Sequence, residues 1–161
     1  MLVQIMLNIF IAVLWMFLKD EDTAHITTFF TGYLIGIIVL YLMHRFFGQP
    51  FYMRKLWSIC KLILLFLKEL ISSSIVLLKQ ICSPRLAVTP GIFTYETKLT
   101  GDFEITALAL LLTLTPGSVV MEISEEGQLF YIHAMDIEQS KADVIRSMNS
   151  FEQAIMEVTR K

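Results

Sequence analysis

Two pairs of side chains in this chain of 161 residues have the types and spacing to do chemistry: adjacent Lys68 and Glu69, and His133 with Asp136. Glu69 is the single acid between residues 51 and 82, inside a strongly apolar stretch. An ionisable group held in lipid is costly and marks an ion path or a structural pairing, which makes Glu69 and Lys68 ion-pathway candidates. If that stretch lies at a membrane surface, Glu69 is simply a solvated partner of nearby lysines, and this plainer reading is preferred. Histidine is the residue type whose charge changes near neutral pH, so His133 with Asp136 is a candidate proton-handling or recognition site. The plainer reading, again preferred, puts His133 on a strand face and Asp136 at the cap of a helix. Thr115-Pro116-Gly117 has the composition of a binding loop, but a helix stop leading into a strand explains it fully and is the preferred reading.

Other chemistry is missing from the sequence. There is no phosphate-cradling glycine loop, nucleophile elbow or paired-carboxylate site, and no Cys/His cluster with metal-ligand spacing. Cys60 and Cys82 fall in one expected helix, which would hold them about 33 Å apart, too far to bridge. The expectation is no catalytic residue, no cofactor, no metal and no enzyme.

The elements that position these residues follow from how charge is distributed. The chain is 55% hydrophobic and only 17% charged. Residues 1–50 carry five charged side chains, Lys19, Asp20, Glu21, Asp22 and Arg45, four of them in one connector. Met1–Leu18 is uncharged, with Gln4 and Asn8 its strong polar groups, close to the shortest run that spans a bilayer. It lacks the basic leader and small-residue cleavage site of a signal peptide and is expected to be retained. Ile26–Phe47 is a second apolar run, in which Gly32 and Gly36 have the small-xxx-small spacing of a close helix contact. The short connector between the runs forces an antiparallel hairpin. Acids in that connector, and Arg45, Arg54, Lys55 and Lys61 after the second run, place both hairpin ends on the cytoplasmic side.

Residues 51–82 carry five basic side chains against Glu69. Arg54, Ser58, Lys61, Lys68, Ser72 and Lys79 follow helical steps along one side, with Leu, Ile, Phe, Val and Trp57 elsewhere. The pattern suits a helix lying in the headgroup plane, its lysines reaching toward anionic lipid. A third spanning helix is the alternative, but it would put Lys68 and Glu69 near the bilayer centre at about 2.5–3.5 kcal/mol each. With membrane helices adjacent and no aromatic platform, lipid is the partner of the basic stripe and nucleic acid is not.

Residues 83–161 hold eleven acids and six bases and read as a compact tail on the cytoplasmic side. Ser83-Pro84-Arg85 ends the basic helix. Ile92–Leu99 alternates as a strand. Asp102 is expected to cap a helix over Phe103–Leu114, apolar but too short to cross a membrane. Ser118–Ser124 and Gln128–Met135 form a hairpin around Glu125-Glu126-Gly127. Asp136 with Gln139 makes a capping box for a last helix whose apolar stripe is Ile137, Val144, Met148, Phe151, Ile155 and Val158. The fold class is thus a membrane protein with a helical hairpin (1–50), an amphipathic third helix (51–82) and a β-α-β-β-α domain (83–161). The last is expected as a small mixed sheet of the split-βαβ kind with both helices on one face.

Several motifs carry a family resemblance: Phe66-Leu67-Lys68-Glu69-Leu70-Ile71-Ser72-Ser73, Ser83-Pro84-Arg85, Pro90-Gly91-Ile92-Phe93, Leu111-Leu112-Thr113-Leu114-Thr115-Pro116-Gly117 and Tyr131-Ile132-His133-Ala134-Met135-Asp136. With the apolar N-terminus before them, they make the chain resemble, over nearly its whole length, the E subunits of the bacterial Mrp-type (Mnh) multisubunit sodium/proton antiporters. The resemblance implies a plasma-membrane complex exchanging sodium for protons. In it, larger subunits carry the ion paths, and this one supports assembly and full activity through contacts with sister subunits. The tail also offers surface for self-association. The reading from another class is a membrane-tethered ligand-binding or sensory module with its site in the α+β tail.

Overall fold

The computed structural model describes residues 2–19, 25–44, 51–83 and 88–160, apart from the side chain of Gln139. Met1, most of the acidic connector, Arg45 to Phe47 at the end of the second run, and Pro84-Arg85 lie outside the described residues. The described chain forms two compact units, Met1–Trp57 and Ser58–Lys161, so the third helix starts in one and continues into the other.

In the first unit, α1 (Leu2–Leu18) packs against α2 (Ile26–Met43). Their contact is written in four-residue steps, one helical turn apart: Gln4, Asn8 and Ala12 on α1, and Thr28, Gly32, Gly36 and Leu40 on α2, are all buried. The remaining faces, with Leu2, Met6, Phe10 and Phe17 on α1 and Leu34, Ile38 and Leu42 on α2, are bare hydrocarbon. Among the described residues, α2 is the one helix long and apolar enough to cross a bilayer; α1, with 17 residues, is at the lower end of the spanning range.

The second unit is an α+β domain. Helix α3 (Tyr52–Ile81) is continuous for 30 residues. After it come β1 (Gly91–Glu96), α4 (Asp102–Thr113), β2 (Ser118–Ile123), β3 (Leu129–Ala134) and α5 (Ile137–Thr159). The sheet order is β1-β3-β2, with β3 antiparallel to both neighbours. The expected mixed sheet is therefore corrected to an antiparallel one. The crossover through α4 leaves room for β3, which arrives by hairpin from β2 and fills the gap between β1 and β2.

Strand periodicity sends Phe93 and Tyr95 of β1, and Phe130, Ile132 and Ala134 of β3, to one face, where Phe93 lies opposite Ile132 and Tyr95 opposite Phe130. Leu108 and Leu112 of α4 and Met148, Phe151 and Ile155 of α5 close over that face, and Leu62, Leu65 and Phe66 of α3 pack on the same core. Full burial of such side chains is worth about 1.5–3 kcal/mol each, which makes this core the domain's main source of stability.

Element ends differ from the sequence reading in local ways. β1 stops at Glu96 rather than Leu99: the Thr97 amide still donates to the Gln128 carbonyl at 2.8 Å, but the next amide, that of Lys98, turns to the Glu152 carboxylate, as does the Thr97 hydroxyl. Asp102 is not the cap of α4. Gly101 holds that position, and Asp102 is the first helical residue, where its charge still favours the helix N-terminus. Asp136 does cap α5, its Oδ1 accepting from the Glu138 amide at 3.2 Å; the Gln139 half of the expected capping box lies outside the described residues. The β2–β3 hairpin turns at Gly127 with φ +73°, a conformation that glycine adopts without strain.

Candidate functional site

Glu69 sits on the side of α3 that faces the domain core, together with Leu62, Leu65 and Phe66 one and two turns before it. Its Oε2 accepts a hydrogen bond from Ser147 Oγ of α5 at 2.6 Å. One turn further on, Ser73 Oγ donates back to the Glu69 carbonyl at 2.7 Å. Lys61 reaches Glu157 at 3.8 Å, an exposed pair worth little by itself. The side of α3 that meets the domain is thus that of Leu62, Leu65, Phe66 and Glu69, while Lys61, Lys68, Ser72 and Lys79 of the polar stripe stay exposed. Trp57, Leu64, Ile71, Ile75 and Leu78, which helical periodicity places on the opposite side, are about half exposed or more.

A cavity of about 340 Å³ lies between the second half of α3, the first turns of α5 and the loop joining α4 to β2. Lys68, Glu69, Ser72 and Gln80 line it from α3, and Asp136, Ser140 and Arg146 from around α5. Thr115-Pro116-Gly117 forms part of its wall, and Gly117 takes a positive φ of +96° there. Asp136 is 3% exposed.

Three sequence candidates, Lys68, Glu69 and Asp136, thus converge on one cavity. His133 does not join them. It lies on β3 opposite Ile92 and Val119, on the sheet face away from the buried Ile132 and Ala134. The candidate His133/Asp136 pair therefore separates at the end of β3: Asp136 caps α5 and His133 lies on the outer face of the sheet. No group of three or more His, Cys, Asp or Glu residues suited to a metal ion occurs among the described residues.

Gly32 and Gly36 both face α1. A Cβ at position 32 would lie 2.7 Å from Trp15 Cβ and 2.9 Å from the Ala12 carbonyl, and one at position 36 would run into the Asn8 carboxamide, 3.1 Å from its Cγ. The missing side chains bring the two backbones close together. Polar contacts that the sequence signalled only as Gln4 and Asn8 complete this end of the unit. Asn8 Nδ2 donates to Tyr52 Oη at 2.8 Å, and the Tyr52 amide donates to Gln4 Oε1 at 2.9 Å. Tyr41, His44, Phe51 and Tyr52 cluster beside them with neighbouring ring centroids 5.1–6.4 Å apart, Tyr41 stacked on His44 and the other pairs edge to face.

Two buried carboxylates escaped the sequence reading. Glu152 is 2% exposed. It accepts from Thr97 Oγ1 and the Lys98 amide, both at 2.5 Å, and from Tyr95 Oη at 3.3 Å. Burial, followed by the charge of Glu152, pushes the Tyr95 phenol up to about 12. Glu104 accepts from Arg160 at 2.8 Å and from Thr159 Oγ1 at 2.5 Å, and these bonds, the arginine's foremost, pull its carboxyl down to about 2. Both networks tie α5 to the rest of the domain and serve architecture. Each acid lies on the apolar stripe of its helix, a placement that in hindsight marks a buried, fully bonded group.

Comparison with known proteins gives the lineage. The family described as Na+/H+ ion antiporter subunit matches residues 8–158. The E subunit of the Na(+)/H(+) antiporter of Bacillus subtilis (strain 168) is 48% identical over 157 residues, covering 98% of each chain. Among solved structures, a chain of the membrane-bound sulfane sulfur reductase, an archaeal respiratory membrane complex, aligns over 94% of this chain and 96% of its own. Its TM-score is 0.53 at 20% identity, a likeness of fold. A chain of the Mrp complex from Dietzia sp. DQ12-45-1b covers 64% of this chain and 96% of its own at 24% identity, with a TM-score of 0.46 that adds nothing to the fold argument. By the near-full-length match in sequence, this chain belongs to the Na+/H+ ion antiporter subunit family.

Proposed function

We propose that the chain is an accessory, non-catalytic subunit of a multisubunit sodium/proton antiporter in the bacterial plasma membrane. The observation that carries this is the near-full-length match to a protein named as the E subunit of such an antiporter. Geometry supports the accessory part. The α1–α2 contact is so tight at Gly32 and Gly36 that not even a methyl group fits, and two helices packed this closely leave no aqueous route between them. An ion path then belongs to sister subunits, against which the bare outer faces of the hairpin pack.

In this reading residues 1–50 form the membrane hairpin, 51–82 the interfacial helix and 83–161 the cytoplasmic domain. The in-plane placement of α3 draws support from its sides: Leu62, Leu65 and Phe66 lie against the domain core, the opposite side, from Leu64 to Leu78, is apolar and left for the acyl-chain boundary, and the exposed lysines of the stripe between them are free to reach headgroups. Glu69, bonded to Ser147 and packed against the domain, has a structural role in this arrangement rather than that of a proton carrier.

Affinity purification of the tagged chain from its native membrane tests the reading. Large polytopic partners co-purify with it, and deletion of the gene lowers sodium-driven proton exchange in everted vesicles. A chain that emerges alone, or that moves sodium by itself in proteoliposomes, overturns it.

A further inference from the structure

We propose that α4 and the edge of β2 form a docking groove for a basic amphipathic helix of a sister subunit. α4 is apolar on every side. Ile105, Leu108 and Leu112 face the core, while Phe103, Leu110 and Leu114 on the outer side are 57–74% exposed. A helix hydrophobic all round is ordinarily covered all round, and a contiguous apolar patch bordered by polar residues marks an interaction site.

Thr106, Ala109, Leu110 and Thr113 of α4 line one open groove with Met121 and Glu122 of β2. The short side chains of Thr106, Ala109 and Thr113, three and four residues apart, leave a hollow into which a ridge of another helix fits. A strand is a poorer occupant. The register of β2 shifts between Val120 and Glu122, and such an irregularity breaks the row of edge N–H and C=O groups that an added strand needs.

Charge chooses the partner. Among the described residues, Glu122 is the one charged side chain lining the groove. Asp102 opens α4, and Glu125 and Glu126 follow β2, all of them exposed. Arg160, which reaches α4, is already bonded to Glu104 on its buried side. A second copy docked through the same patch would set these acids against their own counterparts, and an anionic leaflet would meet them too; both are repelled. A helix with Lys or Arg beside its apolar ridge is attracted by the same acids and lays that ridge in the groove. The proposal rests on the accessory-subunit reading and gives the tail, as well as the hairpin, a contact surface.

Site-specific photo-cross-linking in the native membrane is the test. A benzophenone amino acid replaces Phe103 or Met121 in the full tagged chain. Lys141, over the Phe93 ring at the opposite edge of the sheet, is the control position. Positions 103 and 121 cross-link to one helical segment of one sister subunit, with Lys or Arg beside its apolar face, and position 141 does not. Glu122→Lys lowers that yield about fivefold, as reversal of a charge at an exposed contact should. Cross-links to a second copy, to lipid or to an acidic segment, no cross-link from either position, or an unchanged yield in Glu122→Lys overturn the proposal. Should the Glu122→Lys chain fail to accumulate, the identity of the segment reached from positions 103 and 121 decides. Large partners that still co-purify in those cases leave the antiporter-subunit reading standing, whereas a chain that purifies alone overturns both.

Discussion

Ser147 Oγ on α5 donates to Glu69 Oε2 on α3 at 2.6 Å, across 78 positions of sequence. This bond gives the single acid of a basic helix a partner inside its own domain. An acid bonded to a local hydroxyl on the inward side of its helix is placed to hold two elements together.

Glu69→Gln therefore leaves antiport within about twofold of the wild type, since glutamine still accepts from Ser147. Glu69→Ala strands the hydroxyl and loosens α3 from α5 by about 1–2 kcal/mol. Sodium-driven proton exchange in everted vesicles, and amide exchange in α5, read the two effects. Loss of exchange in the glutamine variant, with the complex still assembled, would return Glu69 to the ion path.

Gly36→Ala forces a methyl group into the Asn8 carboxamide. Overpacking of this kind costs about 1–3 kcal/mol, enough to separate the hairpin or reduce its yield in the assembled complex on native gels. Adding Asn8→Ala clears the space and restores much of the yield, although Tyr52 then loses the donor to its hydroxyl. A double variant no better than Gly36→Ala would show that the Asn8 contact is not what position 36 must avoid.

The Glu104–Arg160 pair makes the domain sensitive to acid. Glu104 is held at about 2 in the folded chain, below the ordinary glutamate value of 4.5, so its stabilisation is fully present above that value and is lost as pH falls through the interval toward 2. Amide exchange in α4 and α5 accelerates over that window. Arg160→Gln flattens the response, at a cost of about 1 kcal/mol at neutral pH, since Arg160 itself is partly exposed and screened.

Tyr95 sets the alkaline side. Its phenol is raised to about 12 by burial and by Glu152, so the stabilisation of the neutral form is full below the ordinary value of 10 and drains away as pH rises toward 12. In Glu152→Gln the nearby charge is gone, and the ultraviolet signature of phenolate at Tyr95 emerges at lower pH. An unchanged titration would mean that the carboxylate contributes nothing to the phenol's setting.

The sequence by itself announces the elements through local properties: uncharged runs for α1 and α2, a helical stripe of bases for α3, and an alternation of period two bounded by turn residues for the strands. The four-residue spacing of Gly32 and Gly36, the helix cap at Asp136 and the hairpin turn at Gly127 are likewise local, fixed within a turn or two of chain. What required the tertiary structure was pairing at long range. β3 enters between β1 and β2 and makes the sheet antiparallel throughout, an order that strand periodicity does not encode. Lys68 and Glu69 meet Asp136 at one cavity, while His133, three residues from Asp136, leaves for the outer face of the sheet. Glu104 and Glu152 look like surface acids until Arg160, Thr97 and Tyr95 are brought beside them. Residue type and spacing fix what a segment can bury, but the partner that satisfies a buried charge is chosen only when distant segments pack.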